Sequence, residues 1–232
     1  MSAPLLGIEA DAAALIAGTV RVDPAVTVIV LGGSDPAVAV PFIAARVPEV
    51  ALLVREDVGR AHPYNIARRI ASLHRLHGGR VGVLLSGPAT DLGSGARAVL
   101  ELWASWPESS LRLDKAGGVF ADVAGIRRVN TEGVFRIDGP LTVPLDPADA
   151  PVLALDGDAR GAAADLVLTG GELVGVDTRI VLLPATDAGA RIAAGAFRAP
   201  AGHRSARSRL GLGPSRARVD EARATAYPAR RA

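Results

Sequence analysis

The chain has 232 residues, 49% of them hydrophobic and only 3% aromatic, with no cysteine and a net charge of +2. The lack of cysteine excludes disulfides, thiolate metal sites and cysteine nucleophiles. No apolar run reaches the ~18 residues of a membrane span, and no basic and apolar leader opens the sequence, so a cytoplasmic protein without membrane contact is expected. Abundant Ala, Val and Leu favour an α/β protein with Val/Leu-rich buried strands and Ala-rich helices.

Residues 1–23 are Ala-rich, and a helix is expected over Ala10 to Ala17 with Asp11 near its start. Val26 to Leu31 is a β-branched run closed by Gly32-Gly33, and Ser34-Asp35-Pro36 then opens a helix with Asp35 as N-cap. Val50 to Val54 is the next strand, and Arg55-Glu56-Asp57 falls where a barrel strand presents its C-terminal end. Pro63 suits a first helical turn, Ile66, Ile70, Leu73 and Leu76 recur at helical spacing, and Gly78-Gly79 stops the helix. Val81 to Leu85 is a short buried-strand run that ends in Ser86. Gly87 to Gly95 reads as a Gly-rich loop, and Ala96 to Trp106 as a helix in which Trp103 and Trp106 pack in the core and at its edge. A hairpin is expected around Thr131-Glu132-Gly133, with strands at Pro151 to Leu155, Ala163 to Leu168 and Arg179 to Leu183.

Charge divides the chain in two. Residues 198–232 hold nine Arg against Asp220 and Glu221, a charge of +7 that leaves −5 for residues 1–197. The expected organisation is a barrel domain over 1–197 and a basic, solvated and poorly ordered tail over 198–232. A basic tail can be a nucleic-acid arm, but nucleic acid is not the expected partner.

The stretch His62-Pro63-Tyr64-Asn65-Ile66-Ala67-Arg68-Arg69-Ile70-Ala71-Ser72-Leu73 through Gly78-Gly79-Arg80 resembles the H-P-Y-N-x-A-R-x-x-A-S-L…G-G-R segment of flavin-dependent monooxygenases related to bacterial luciferase. The branch it resembles is that of nitrilotriacetate and dibenzothiophene sulfone monooxygenases. Leu111 to Asp122, Gly139-Pro140-Leu141-Thr142-Val143-Pro144 and the tail around Arg207-Ser208-Arg209-Leu210-Gly211-Leu212 resemble further segments of the same family, over roughly residues 35–215 with gaps. The resemblance implies a (β/α)8 barrel. Because a complete one typically needs about 250 residues, a contracted or incomplete barrel of six or seven strands is expected, without the start of the barrel and several loops.

The resemblance also implies reduced FMN at the C-terminal mouth, a partner flavin reductase as its source, a small organic substrate, and association into homo- or hetero-oligomers. The cofactor-binding positions it carries over are Ser86, Gly157 and Gly161. Three departures stand beside them. Leu84 occupies the position of a flavin-facing Asn, the loop after Ser86 lacks the family's His and Arg-Tyr pair, and the phosphate loop reads Leu155-Asp156-Gly157-Asp158-Ala159-Arg160-Gly161 with Ala159 for Ser. Asp156 and Asp158 there oppose a phosphate, with Arg160 as a partial offset. The alternative reading is therefore a non-catalytic paralogue that binds a small molecule or serves as a structural subunit.

Other constellations read more plainly. His74 and His77 at i, i+3 lack an evident third ligand and read as surface histidines, so no metal is expected. Gly93-Ser94-Gly95-Ala96-Arg97-Ala98 reads as a loop and helix start, and Asp156 with Asp158 as turn chemistry.

Overall fold

The computed structural model describes residues 4–131, 133–157, 163–185, 205–217 and 225–226. The first half is four strand–helix units: β1 (Leu5–Asp11), α1 (Ala12–Ala17), β2 (Val26–Gly32), α2 (Pro36–Arg46), β3 (Ala51–Asp57), α3 (Pro63–Leu76), β4 (Val81–Ser86) and α4 (Ala89–Ser105). An excursion follows, with the ribbon β5 (Leu111–Asp114) and β6 (Val119–Ala121) and the pair β7 (Arg127–Thr131) and β8 (Ile137–Gly139). The chain then returns through β9 (Leu153–Asp156), β10 (Leu166–Thr169), β11 (Glu172–Val174) and β12 (Arg179–Pro184). A short helix, α5 (Ala206–Leu210), and β13 (Thr225–Ala226) complete the described elements.

Eight strands close a barrel in the order β1-β2-β3-β4-β9-β10-β11-β12, and β12 pairs in parallel with β1. The expected α/β barrel is present, but not with six or seven strands. The missing count has two sources. β1 begins before the expected helix and takes up Leu5 to Asp11, so the start of the barrel is present and pairs on both edges. β11 is a three-residue strand that runs antiparallel to both β10 and β12. Contraction has therefore fallen on the connections: tight reversals replace crossovers on either side of β11, and the ring still closes. Closure removes the free edges that an open sheet would leave to pair with other chains.

Alternation along the strands divides the core. Outward side chains such as Leu52, Val54, Val83 and Leu85 pack with Ile66, Ile70, Val99 and Trp103 of the helices. Inward side chains, among them Leu5, Val28, Val30, Leu53, Leu84, Ala154, Leu166, Leu173, Ile180 and Leu182, form a separate cluster inside the ring. Burial on both faces is why the first strands read as continuous apolar runs. Ala206 and Leu210 of α5 belong to the inner cluster and seal its floor.

α3 forms as its residues dictate. His62 is its N-cap and accepts from the Tyr64 amide at 3.3 Å, Pro63 takes the first position, and Gly78 and Gly79 follow with positive φ. Ile66, Ala67, Ile70 and Ala71 are buried, whereas Leu76 is exposed at the last turn. α4 begins at Ala89, so Gly93 to Ala98 lies within a helix and not in a loop. Tertiary packing outweighs the glycine cost here: a Cβ on Gly95 would lie 2.8 Å from Val58 Cγ1. Trp103 is fully buried and donates from Nε1 to the Ala67 carbonyl at 3.1 Å, and Trp106 is half-buried, as expected of both.

Two further expectations are corrected at the floor. His74 is a core residue at 4% exposure, its Nδ1 2.7 Å from the Val81 carbonyl and its Nε2 2.9 Å from that of Asp149. Burial lowers its pKa, against the pull of both carbonyls. Within the 198–232 tail, the described residues 205–217 are packed. The Ala206 amide donates to Gly79, Arg209 reaches the Glu49 carbonyl at 2.5 Å, and Arg207 pairs with Asp165 beneath the barrel. Apolar Ala206 and Leu210 draw these arginines inward; a buried carboxylate, Asp165, meets Arg207, and an exposed one, Glu49, meets Arg209. Among the described residues no helix is long and apolar enough to cross a membrane.

Candidate functional site

Each parallel strand delivers its last residues to the same end of the barrel, where loops are free to vary and sites of this architecture form. The inward alternation places Glu9 of β1, Arg55 of β3, Ser86 of β4 and Asp156 of β9 at this mouth. Below them the interior is apolar: Leu84 is one inward step beneath Ser86 and fully buried. The strand-four position that departs from the family's Asn thus points down into the ring and contributes to its floor.

The Arg55 guanidinium spans the mouth. Nη2 donates to Glu9 Oε1 at 2.6 Å, and Nη1 pairs with Asp156 Oδ2. The three side chains are 31–47% exposed. Arg55 divides two clefts. One, of about 250 Å³, is lined by Glu9, Asp11, Val30, Gly32 and Gly33; the other, of about 360 Å³, by Gly33, Ser34, Asp35, Glu56, Arg60, Arg69 and Ser86. The larger falls at the low end of the size range of small-molecule sites, and the smaller just below it.

On the outward side of β3, Glu56 forms a two-pronged pair with Arg69 of α3, both contacts at 2.9 Å. Burial raises the pKa of Glu56 and the Arg69 guanidinium pulls it down, with burial the larger effect. Asp57 is occupied in its own turn, accepting from the Gly59 amide at 2.7 Å, and Asp11 caps α1. Arg60 lines the larger cleft, is exposed, and has no ion pair among the described residues.

Of the positions carried over from the family, Ser86 lines this cleft and donates from Oγ to the Glu56 carbonyl at 3.1 Å. Gly157 follows β9 at φ +117° with open space where a Cβ would stand. Only glycine adopts this conformation readily. Gly161 lies outside the described residues, as do Asp158, Ala159 and Arg160. Asp156 is not turn chemistry: it ends β9 and is held by Arg55. Sequence reasoning missed Glu9, hidden in an unrecognised strand, and the partnership of Arg55 with Asp156 across 101 residues. The available signal was the inward alternation of β3, which sets Arg55 two residues beyond Leu53. No group of three or more His, Asp or Glu among the described residues is arranged to hold a metal.

No protein-family model matches the chain. Over 140 residues it is 36% identical to a dibenzothiophene-sulfone monooxygenase of Rhodococcus erythropolis, covering 51% of this chain and 31% of that one. Over 131 residues it is 34% identical to a pristinamycin IIA synthase component of Streptomyces pristinaespiralis, covering 54% and 47%. Over about half of its length the chain is thus similar in sequence to luciferase-like monooxygenases. The chain spans less than half the length of those two relatives. Its fold also matches a solved riboflavin lyase, crystallised with modified FMN and riboflavin, at a TM-score of 0.59 and 18% identity over 73% of this chain and 55% of that one.

Proposed function

We propose that the mouth binds FMN and that the chain acts as a monooxygenase of luciferase type on a small organic substrate, with reduced flavin drawn from a separate reductase. The observation that carries this reading is the convergence of Glu9, Arg55, Ser86 and Asp156 on the C-terminal end of a closed barrel in a chain related to such enzymes.

The residues present fit a flavin. Arg60 is a cation uncommitted among the described residues and suited to a phosphate. Ser34 and Ser86 offer hydroxyls in the same cleft, and Gly157 leaves backbone open at the end of β9. When bound, reduced FMN would supply the electrons that activate oxygen. The protein's part is to bind, orient and exclude water. Arg60 and the Gly157 backbone would hold the phosphate end, and the serines the polar edge of the ring. Val30 and Leu84 beneath them keep the interior dry. Glu56, its pKa raised by burial, pairs with Arg69 and ties β3 to α3 at the wall of the cleft.

Titration with FMN and with reduced FMN, followed by the visible spectrum and by flavin fluorescence, tests the proposal. A saturable complex at micromolar concentrations is expected. No complex in either redox state would falsify it.

A further inference from the structure

The mouth is acidic where a flavin phosphate would approach. Around the two clefts and the end of β9 stand Glu9, Asp11, Asp35, Glu56, Asp57 and Asp156 against Arg55, Arg60 and Arg69. Arg69 is spent on Glu56. Ser86 turns its hydroxyl to a backbone carbonyl. Among the described residues, only Arg55 lies within ion-pair distance of Asp156. It reaches there from β3, one strand beyond β4, while its other nitrogen holds Glu9 on the opposite side. The triad has a charge of −1 with Arg55 and would have −2 without it.

We propose that Arg55 is a positioning and charge-setting residue of this mouth: by holding Asp156 where β9 runs into Gly157, it makes the site tolerant of a phosphorylated flavin and sets the preference for FMN over riboflavin. This rests on the reading of the mouth as a flavin site. The two ligands share the ring and the ribityl chain and differ in the phosphate, so their affinity ratio isolates the charge. Two carboxylates freed of their arginine repel a nearby dianion, whereas an uncharged ligand is indifferent to them. Removing the carboxylate of Asp156 while keeping Arg55 acts in the opposite sense.

The test compares FMN and riboflavin binding by fluorescence quenching in the wild type, Arg55→Met, Asp156→Asn and the double variant, with the Tm of each. Arg55→Met is expected to weaken FMN at least about tenfold and riboflavin less than about threefold, the scale of one partly screened charge pair. Asp156→Asn should raise the FMN-to-riboflavin preference, and the double variant should return it to within about threefold of wild type. Salt should shrink all of these differences. If Arg55→Met weakens both flavins equally, or Asp156→Asn leaves the ratio unmoved, Arg55 is a packing residue and the inference is wrong. A wild type that binds neither flavin would instead remove the flavin site itself, and the inference with it.

Discussion

Both ends of the barrel hold an arginine against a carboxylate, in opposite surroundings. At the floor, the side chains of Arg207 and Asp165 are 4% and 7% exposed, and Asp165 also accepts from the Leu153 amide at 2.9 Å. At the mouth, Arg55 is 31% exposed and its partners 47% and 35%. The floor pair sits under a sealed apolar interior and ties α5 to the start of β9. The mouth pair is partly exposed and borders two clefts. The difference separates a contact that fixes the structure from one that a ligand can influence, and it matches the division of labour between the two faces of such barrels.

The largest effect should come from breaking the floor pair. Asp165→Ala leaves Arg207 buried, with Nε and Nη1 already without partners among the described residues, and strands the Leu153 amide. A loss of about 3–5 kcal/mol is expected in urea or thermal unfolding. The double variant Asp165→Leu with Arg207→Met should recover much of it, because apolar pairs replace buried ion pairs well. Recovery would show the floor to be a packing feature, and none would mean that the charges specify the docking of α5.

The next effect concerns pH at the same end. Burial lowers the pKa of His74, and burial with the nearby Arg80 lowers that of His77. The groups facing His74 are the Val81 and Asp149 carbonyls, the Asp149 carboxylate and Arg207. Between the lowered folded value and the ordinary 6.5, the unfolded state binds more protons than the folded one. The stability from a neutral His74 is therefore complete above about pH 6.5 and is lost as pH falls through the window below it. The slope should reach at most about 1.4 kcal/mol per pH unit for one residue. His74→Gln should flatten the dependence in denaturation series between about pH 5 and 7. A wild-type stability that rises as pH falls there would show that the two carbonyls hold the ring protonated.

The smallest stability effect is expected at the mouth. Arg55→Met should change the unfolding free energy by no more than about 1 kcal/mol, as for partly exposed pairs. A loss as large as that of Asp165→Ala would erase the distinction between the two ends.

Much of the first half was legible from local pattern. Val26 to Leu31, Val50 to Val54 and Val81 to Leu85 are strands because both faces are buried, and α3 is bracketed by Pro63 and Gly78-Gly79. β1 was obscured because Ala10 to Ala17 invites a helix and the strand ends where that helix begins. β11 was obscured because three residues are too few for a period. At the mouth, the family pattern pointed to Ser86, which lines the larger cleft, and to Gly157 at the end of β9, whereas nothing in it pointed to Glu9. Arg55 was visible as a strand end but not as a partner, since nothing local marks a contact across 46 residues to Glu9 and 101 to Asp156.

The sequence by itself determined the α/β character, the first strands and helices, and the family frame, because burial period, caps and glycine stops are encoded within a few residues. Only the tertiary structure decided that eight strands close, that the arginine-rich segment 205–217 seals the floor, and that Arg55 meets Asp156. Closure and ion pairing depend on where distant side chains arrive. That is set by strand order and register, which no local stretch contains.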